Sequence, residues 1–179
     1  MIIKRGDILK KLKEINRYPD LLAYSAVRAD DILSEFLEKL EPKPEGIIEI
    51  GTWQGIATVV LASGGKIVYT YDIAYRDAEY IWNLFGVRNK IRCCIAPQWQ
   101  IDEDIKIVAK ESKINFDFAF IDGNHTDKDV RHDFELVKKC GRILFHNANF
   151  RQIHKFVVDE LNAKIIDEGR GWYAYWEDK

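Results

Sequence analysis

The sequence lacks several patterns that would assign it to common protein classes. No apolar run approaches the roughly 20 residues that a membrane-spanning helix needs, and no signal-peptide pattern opens the chain. The three cysteines, Cys93, Cys94 and Cys140, form no C-x-x-C pair, so neither a thiol metal site nor a redox motif is indicated. We therefore expect a cytoplasmic protein without a membrane partner, whose cysteines pack as small hydrophobic residues.

An excess of charge of either sign is also lacking. The chain has 27 Lys and Arg against 29 Asp and Glu, so no long-range field would attract a polyanion, and no nucleic-acid partner is expected. The N-terminal segment alone is basic, and a solvated helix face explains it. Its basic residues are Lys4, Arg5, Lys10, Lys11, Lys13 and Arg17.

From Ile47 onward, short apolar runs alternate with segments of helical periodicity. The predicted strands are Ile47–Ile50, Lys66–Asp72, Ile91–Ile95, Phe116–Ile121 and Gly141–His146. The predicted helices are Ile56–Ala62, Arg76–Leu84, Asp102–Glu111, Asp127–Lys138 and Arg151–Leu161. This alternation predicts an α/β fold, with a mostly parallel, Rossmann-like, doubly wound sheet covered by helices on both faces in three αβα layers.

The two ends of the chain differ from this core. Helical apolar spacing over Asp7–Arg17 and Asp30–Leu40 predicts two N-terminal helices, which Pro19-Asp20 separates. At the C-terminus, Lys164–Glu168 and Trp172–Trp176 flank a glycine-containing loop, which predicts an antiparallel hairpin. We predict one domain over residues 1–179, with a helical segment (1–45), a cofactor-binding core (46–147) and a terminal helix and hairpin (148–179).

The first two predicted strands suit a nucleoside-containing cofactor. The first ends in Glu49 and the turn Gly51-Thr52-Trp53-Gln54-Gly55, and the second ends in Asp72. Such a turn lets backbone approach a ligand closely, and a carboxylate at the second strand end can accept hydrogen bonds from ribose hydroxyls. The G-x-G-x-x-G pattern that holds a pyrophosphate is missing, because Trp53 stands at the middle glycine. A cofactor without phosphate therefore fits better, and S-adenosylmethionine is the leading candidate.

Other strand ends carry candidate catalytic groups. Asp122 ends a buried strand, where a carboxylate needs a cation, a metal or strong donors, although Asp-Gly also shapes turns. His125 follows in the same loop and His146 ends the next strand, so either imidazole could accept a proton from a hydroxyl. As isolated residues, both histidines are as readily explained by a structural role.

Several residues have two interpretations. Glu49 could order the cofactor loop or cap its backbone. Trp53 and Trp99 could stack on adenine, although large aromatic residues mostly fill cores. Asp133 is expected on a helix, paired or facing solvent. His132 and His154 are interpreted as structural or surface residues.

Two motifs resemble those of a known family. Glu49-Ile50-Gly51-Thr52-Trp53-Gln54-Gly55 is similar to the E-I-G-x-[aromatic]-x-G motif of small-molecule O-methyltransferases such as the catechol and caffeoyl-CoA enzymes. The second motif comprises Phe120-Ile121-Asp122-Gly123-Asn124-His125, then Asp133, Gly141 and Phe145-His146. It resembles the I-D-G-x-H…D…G-G-x-[FV]-H-D pattern of the class I branch that contains macrocin and rhamnosyl O-methyltransferases and cephalosporin hydroxylase-like proteins.

The resemblance implies a class I S-adenosylmethionine-dependent methyltransferase, in which five βα units are closed by a β-hairpin. The acceptor would be an oxygen or nitrogen of a small or sugar-like molecule. The candidate cofactor-binding residues are Glu49, Gly51, Thr52, Trp53, Gly55, Asp72, Trp99 and Asp122. In metal-dependent relatives, positions matching Asp122, His146 and Asn147 bind Mg²⁺, which makes Mg²⁺ a second candidate cofactor.

Two departures from the pattern leave alternatives open. Asn147 stands where the family usually has Asp, and Cys140 replaces the first of the two glycines before the last parallel strand. Only Asn147 to Phe150 separate that strand from its helix, so little chain is expected to close over an acceptor. A large acceptor, a homo-oligomer that completes the pocket, and a non-catalytic nucleoside-binding or interaction protein all remain open. A nicotinamide dehydrogenase is a more distant alternative, which Trp53 opposes.

Overall fold

A single mixed sheet of seven strands organises the computed structural model, which describes residues 2–15, 31–65, 67–74, 77–167, 170 and 172–178. The strands are β1 (Gly46–Ile50), β2 (Ile67–Asp72), β3 (Ile91–Ile95), β4 (Phe116–Ile121), β5 (Arg142–His146), β6 (Lys164–Ile165) and β7 (Tyr173–Glu177). Their spatial order is β3-β2-β1-β4-β5-β7-β6. The first five strands are parallel, whereas β7 runs antiparallel to both β5 and β6.

Helices cover both faces of this sheet. They are α1 (Arg5–Glu14), α2 (Ile32–Lys39), α3 (Ile56–Gly64), α4 (Ala78–Leu84), α5 (Gln98–Glu111), α6 (Asp127–Val137) and α7 (Arg151–His154), with a π-helical turn over Lys155–Glu160. One buried cluster joins α1–α4 to one face of the sheet, and a second joins α5–α7 to the other. All five residues of β1 are buried, as expected for a strand covered from both sides.

The predicted fold class is confirmed, with local differences at element ends. Helix α5 begins at Gln98, four residues before the predicted Asp102. The prediction missed this first turn because the turn is exposed and lacks the apolar spacing on which the prediction relied. The α-helix predicted over Arg151–Leu161 ends at His154 and continues as the π-helical turn. The predicted break at Pro19-Asp20 and the hairpin glycines Gly169 and Gly171 lie outside the described residues.

The terminal hairpin is held by a buried acid. Asp167 is 6% exposed, and its two carboxylate oxygens accept the backbone N–H groups of Trp172 and Tyr173 at 2.8 and 2.9 Å. This contact links the end of β6 to the start of β7, and β7 pairs with β5. Among the described residues, every helix is too short or too polar to cross a lipid bilayer.

Candidate functional site

A cavity of about 700 Å³ opens at the carboxyl ends of the parallel strands. Strand β1 lies between β2 and β4. The chain runs from β1 through β2 to β3 on one side of β1 and from β4 to β5 on the other, so this edge is the switch point where α/β sheets bind ligands. The predicted site residues that line the cavity are Gly51, Thr52, Trp53, Asp72, Asp122, His125, His146 and Asn147. Glu49, Gly55 and Trp99 do not belong to that lining.

The turn after β1 packs directly on the loop after β4. Gly51 has φ +101°, and a Cβ atom there would lie 2.1 Å from the backbone oxygen of Asp122. The N–H of Asp122 donates to the Ile50 oxygen at 2.8 Å, and the N–H of Gly51 donates to the Tyr71 oxygen at 2.9 Å. Glycine at this position therefore allows the two loops that carry the motifs to meet.

Asp72 connects this turn to the end of β2. One carboxylate oxygen accepts the N–H of Trp53 at 2.7 Å, and the other accepts the N–H of Ala74 at 3.0 Å. Each oxygen retains a lone pair for a further donor. Ile73, which is 68% exposed, lines the cavity beside it. The carboxylate and the apolar side chain can together receive a polar ring hydroxyl and a flat base.

Glu49 lies beneath the cavity floor rather than in its lining. It is completely buried, and the hydroxyl of Thr58 donates to its Oε2 at 2.6 Å. Within the described chain its Oε1 has no hydrogen-bond partner. Burial raises the pKa of Glu49 to about 8. Its side chain therefore joins β1 to α3, and burial favours its protonated form.

Asp122, His146, His125 and Asn147 come together at the ends of β4 and β5. Asp122 Oδ1 accepts a hydrogen bond from His146 Nδ1 at 2.7 Å. The Asn147 amide nitrogen lies 3.5 Å from the same carboxylate oxygen and 3.0 Å from His125 Nε2. Because a carboxylate can only accept, the proton of a neutral His146 ring resides on Nδ1, and Nε2 keeps its lone pair.

Aromatic rings surround these polar groups. The ring of His146 lies 4.9 Å from that of Tyr173 and 6.2 Å from that of Trp172, and His125 meets Phe150 edge-on at 5.6 Å. All three aromatic partners line the cavity. Tyr173 is only 3% exposed, whereas Phe150 is 38% exposed. The cavity can accommodate a flat or apolar ligand body at this end.

Sequence reasoning misjudged two charged residues. Asp133 was expected to be paired or solvent-facing, but it is 4% exposed and lines the cavity, and burial raises its pKa to about 7. Its position follows from helical spacing, because Val130, Phe134 and Val137 lie on the same buried face of α6. Arg5 was interpreted as part of a solvated face, yet it also lines the cavity. No local signal distinguishes Arg5 from the lysines that follow it.

The two tryptophans of the prediction differ. Trp53 is 44% exposed and lines the cavity. Trp99 is 65% exposed, so its reading as a core residue is wrong, and it lies outside the cavity lining. His132, predicted to be structural or at the surface, pairs with Asp102 at 3.0 Å on the cavity rim. The role of Trp99 in cofactor binding stays a prediction.

The donor set at Asp122 does not match the preferences of Mg²⁺. The predicted ligands are one carboxylate, one imidazole and one amide, whereas Mg²⁺ prefers carboxylates and water. Among the described residues, no three His, Cys, Asp or Glu side chains come together so that they could hold a metal ion. The carboxylate of Asp122 is moreover engaged by His146. We therefore derive no chemical step through a metal.

Several solved structures that are similar to this chain are methyltransferases. The O-methyltransferase TomG from Streptomyces achromogenes, involved in tomaymycin synthesis and solved with SAM, has a TM-score of 0.67 at 15% identity, over 100% of this chain and 92% of that one. The O-methyltransferase from Bacillus cereus, solved with SAH, scores 0.65 at 18% identity, over 94% and 88%. The SAH-bound Podospora anserina methyltransferase PaMTH1 scores 0.63 at 16% identity, over 97% and 88%. These likenesses establish the class I methyltransferase fold.

Sequence comparison adds the family. No curated protein matches the chain at a significant level. The family model described as "Methyltransferase domain" matches residues 48–148. This range includes both motifs and spans more than half of the chain. On this evidence the chain belongs to the methyltransferase-domain family.

Proposed function

We propose that this protein transfers a methyl group from S-adenosylmethionine to an oxygen, or a nitrogen, of a small-molecule or sugar-like acceptor. The observation that carries the proposal is the 2.7 Å contact of Asp122 with His146 beside a cavity that also contains Asp72. A base and a ribose-binding acid thus line one space of about 700 Å³, which is within the range of small-ligand sites.

The residues around the glycine turn fit S-adenosylmethionine. Asp72 has lone pairs for ribose hydroxyls, and Ile73 offers an apolar surface to a base. Trp53 projects at the turn where a pyrophosphate-binding motif needs glycine, which favours a cofactor without phosphate. When bound, S-adenosylmethionine supplies an electrophilic methyl group on a sulfonium. Gly51, Thr52 and Gly55 would shape the turn around it, with Glu49 supporting that turn from below.

The histidine pair gives the site its chemistry. Asp122 holds the Nδ1 proton of His146, so Nε2 can accept the proton that leaves an acceptor hydroxyl during methyl transfer. His125 is the second candidate for the same role, but its Nε2 accepts a hydrogen bond from the Asn147 amide at 3.0 Å, so this contact would have to open before Nε2 could take a proton. Orientation of the two reactants would supply most of the rate enhancement, as in other transfers between bound groups.

The acceptor is inferred from the surroundings of these histidines. Phe150, Trp172 and Tyr173 suit a flat or apolar body, and the neighbouring proteins named as O-methyltransferases favour oxygen as the methylated atom. The I-D-G-x-H motif supports an assignment to the branch of macrocin and rhamnosyl O-methyltransferases and cephalosporin hydroxylase-like proteins. That assignment is part of the proposal.

Turnover tests the proposal. Release of S-adenosylhomocysteine from S-adenosylmethionine should be measured with a panel of phenols, catechols and hydroxylated glycosides, with Mg²⁺ and with EDTA. We expect acceptor-dependent turnover that His146→Ala reduces about 10²-fold or more. His125→Ala tests the second candidate base in the same way, and His132→Ala shows the effect of removing a histidine that is not a candidate base. Persistence of activity in EDTA would agree with a metal-free base. Binding of S-adenosylhomocysteine without turnover of any acceptor would support the non-catalytic alternative instead.

A further inference from the structure

Arg5 places a charge on the cavity wall that the described chain leaves without a partner. It is the first residue of α1 and lines the cavity. Its Nε is inaccessible to solvent and donates to no described acceptor. None of the ion pairs found among the described residues involves it. Because a guanidinium stays protonated at physiological pH, this charge is uncompensated within that part of the chain.

Other arginines of the protein form ion pairs with carboxylates. Four of them meet carboxylates at N–O distances of 2.6–3.1 Å: Arg88 with Glu79, Arg92 with Asp104, Arg131 with Glu160 and Arg142 with Asp117. A buried N–H without an acceptor costs free energy that a ligand oxygen would recover. Arg5 therefore has the properties of a residue whose partner is not part of the described chain.

The other charged side chains of the described lining are acidic, so an anionic group of a ligand would bind at Arg5. The acidic side chains in the lining are Asp72, Asp122, Asp129 and Asp133. Among the described residues of that lining, Arg5 is the only Lys or Arg. Leu33 of α2 and Val60 of α3, which belong to the same lining, are apolar. An apolar wall strengthens an ion pair because it lowers the local dielectric constant.

We propose that Arg5 binds a carboxylate of the ligand that occupies this cavity. The planar guanidinium matches a carboxylate through two parallel N–H···O bonds. This inference rests on the proposed function, since the methionine end of S-adenosylmethionine carries a carboxylate. An acidic acceptor is the second source of the same group.

Calorimetric binding of two nucleosides tests the first source. The variants are Arg5→Gln and Arg5→Lys, and Lys4→Gln is the control because it removes an exposed charge one residue away. The probes are S-adenosylhomocysteine, which carries the carboxylate, and 5′-methylthioadenosine, which lacks it. If the cofactor is the source, Arg5→Gln weakens S-adenosylhomocysteine binding about 10-fold or more and leaves methylthioadenosine unchanged. Arg5→Lys recovers part of the loss, and Lys4→Gln changes neither ligand.

The second source is tested in the presence of saturating S-adenosylhomocysteine. Binding of 3,4-dihydroxybenzoate is compared with that of catechol, which has the same ring without the acid. If the acceptor is the source, Arg5→Gln weakens only the benzoate, about 10-fold, and leaves S-adenosylhomocysteine affinity unchanged. Thermal unfolding without ligand shows whether each variant is folded.

Two negative results have different meanings. Wild-type binding of S-adenosylhomocysteine with no loss for either acid in Arg5→Gln would overturn the assignment of Arg5 alone. A wild-type protein that binds neither nucleoside would overturn the proposed function and, with it, this assignment.

Discussion

At the scale of single residues, Asp72 combines a structural and a ligand-facing task. Its carboxylate receives the N–H groups of Trp53 and Ala74, which fixes the glycine turn against the end of β2. The same oxygens face a cavity in which a ribose would need acceptors. A ligand bound there would meet a carboxylate that is already oriented, so little conformational entropy would be lost on binding.

Asp72→Ala should weaken binding of S-adenosylhomocysteine by roughly 1.5–3 kcal/mol, because it removes hydrogen bonds to a charged acceptor. Isothermal titration calorimetry gives the affinity, and the melting temperature without ligand reports how far the turn itself has loosened. Glu103→Ala serves as the control, since it removes an exposed acid from α5 outside the cavity lining. Unchanged affinity in Asp72→Ala would remove the ribose assignment.

Gly51→Ala tests the contact between the two motif loops. With φ +101° and a Cβ position 2.1 Å from the Asp122 oxygen, alanine cannot fit unless backbone moves. We expect a loss of more than about 3 kcal/mol in the free energy of unfolding, measured with urea. Gly86→Ala is a matched control with φ +67° and nothing within 4 Å, and it should lose only about 1 kcal/mol. Equal losses in both would mean that backbone strain, not the contact, decides.

At the scale of elements, α2 matters because it forms both core and cavity wall. Leu37 is completely buried and packs against Gly64 of α3, while Leu33, one helical turn earlier, lines the cavity. The stability of this helix and the shape of the cavity are therefore linked through one apolar face. Among the described residues, α2 and α3 form the most extensive contact between helices on this side of the sheet.

Leu37→Ala should lower the free energy of unfolding by about 2–5 kcal/mol, since it leaves a hole between two packed helices. Glu38→Ala changes the next, exposed residue and should stay within about 0.5 kcal/mol of the wild type. Urea denaturation measures both. A small loss for Leu37→Ala would indicate that α2 shifts toward α3 and closes the hole, and ligand affinity should then change as well.

The sequence predicted strands better than helices for a physical reason. The five parallel strands lie within one residue of prediction, because burial on both faces leaves continuous apolar runs such as Phe118–Ile121. The start of α5 was missed because an exposed first turn, including Trp99, has no apolar face to read. Arg5 could not be recognised either, because its contact with the cavity depends on how α1 packs in three dimensions.

Some positions in the candidate site could likewise be predicted from the sequence, and others could not. Asp122, His125, His146 and Asn147 were predictable as neighbours, because the carboxyl ends of adjacent parallel strands meet at one edge of the sheet. The burial of Asp133 was also readable in principle, from its apolar neighbours at helical spacing. The strand pattern could not predict that Glu49 lies below the cavity floor. Its position depends on the packing of α3, whose Thr58 donates a hydrogen bond to the Glu49 carboxyl group.

At the scale of the whole molecule, two buried acids couple folding to pH. Burial raises the pKa of Glu49 from 4.5 to about 8 and that of Asp133 from 3.8 to about 7. Near Asp133, the charges of Asp129 and Asp102 act in the same direction and His132 opposes them. Both acids therefore hold their protons to higher pH in the folded chain than in the unfolded chain. Since the folded state binds more protons across this range, these groups make the protein less stable as pH rises from about 4 to about 8.

In urea unfolding from pH 4 to pH 9, the contribution of Glu49 and Asp133 to the free energy of unfolding should decline as pH rises and level off above about pH 8. Asp133→Asn removes one titrating group, so its stability relative to the wild type should improve by on the order of 2–4 kcal/mol between pH 4 and pH 8. Glu49→Gln should act in the same direction over a range that extends to slightly higher pH, since the pKa of Glu49 is the higher of the two. Asp7→Asn, which removes an exposed acid of α1, is the control. If Asp133→Asn instead loses stability relative to the wild type as pH rises, the carboxylate is held ionised in the folded state. Its place in the cavity would then need a positive partner rather than a proton.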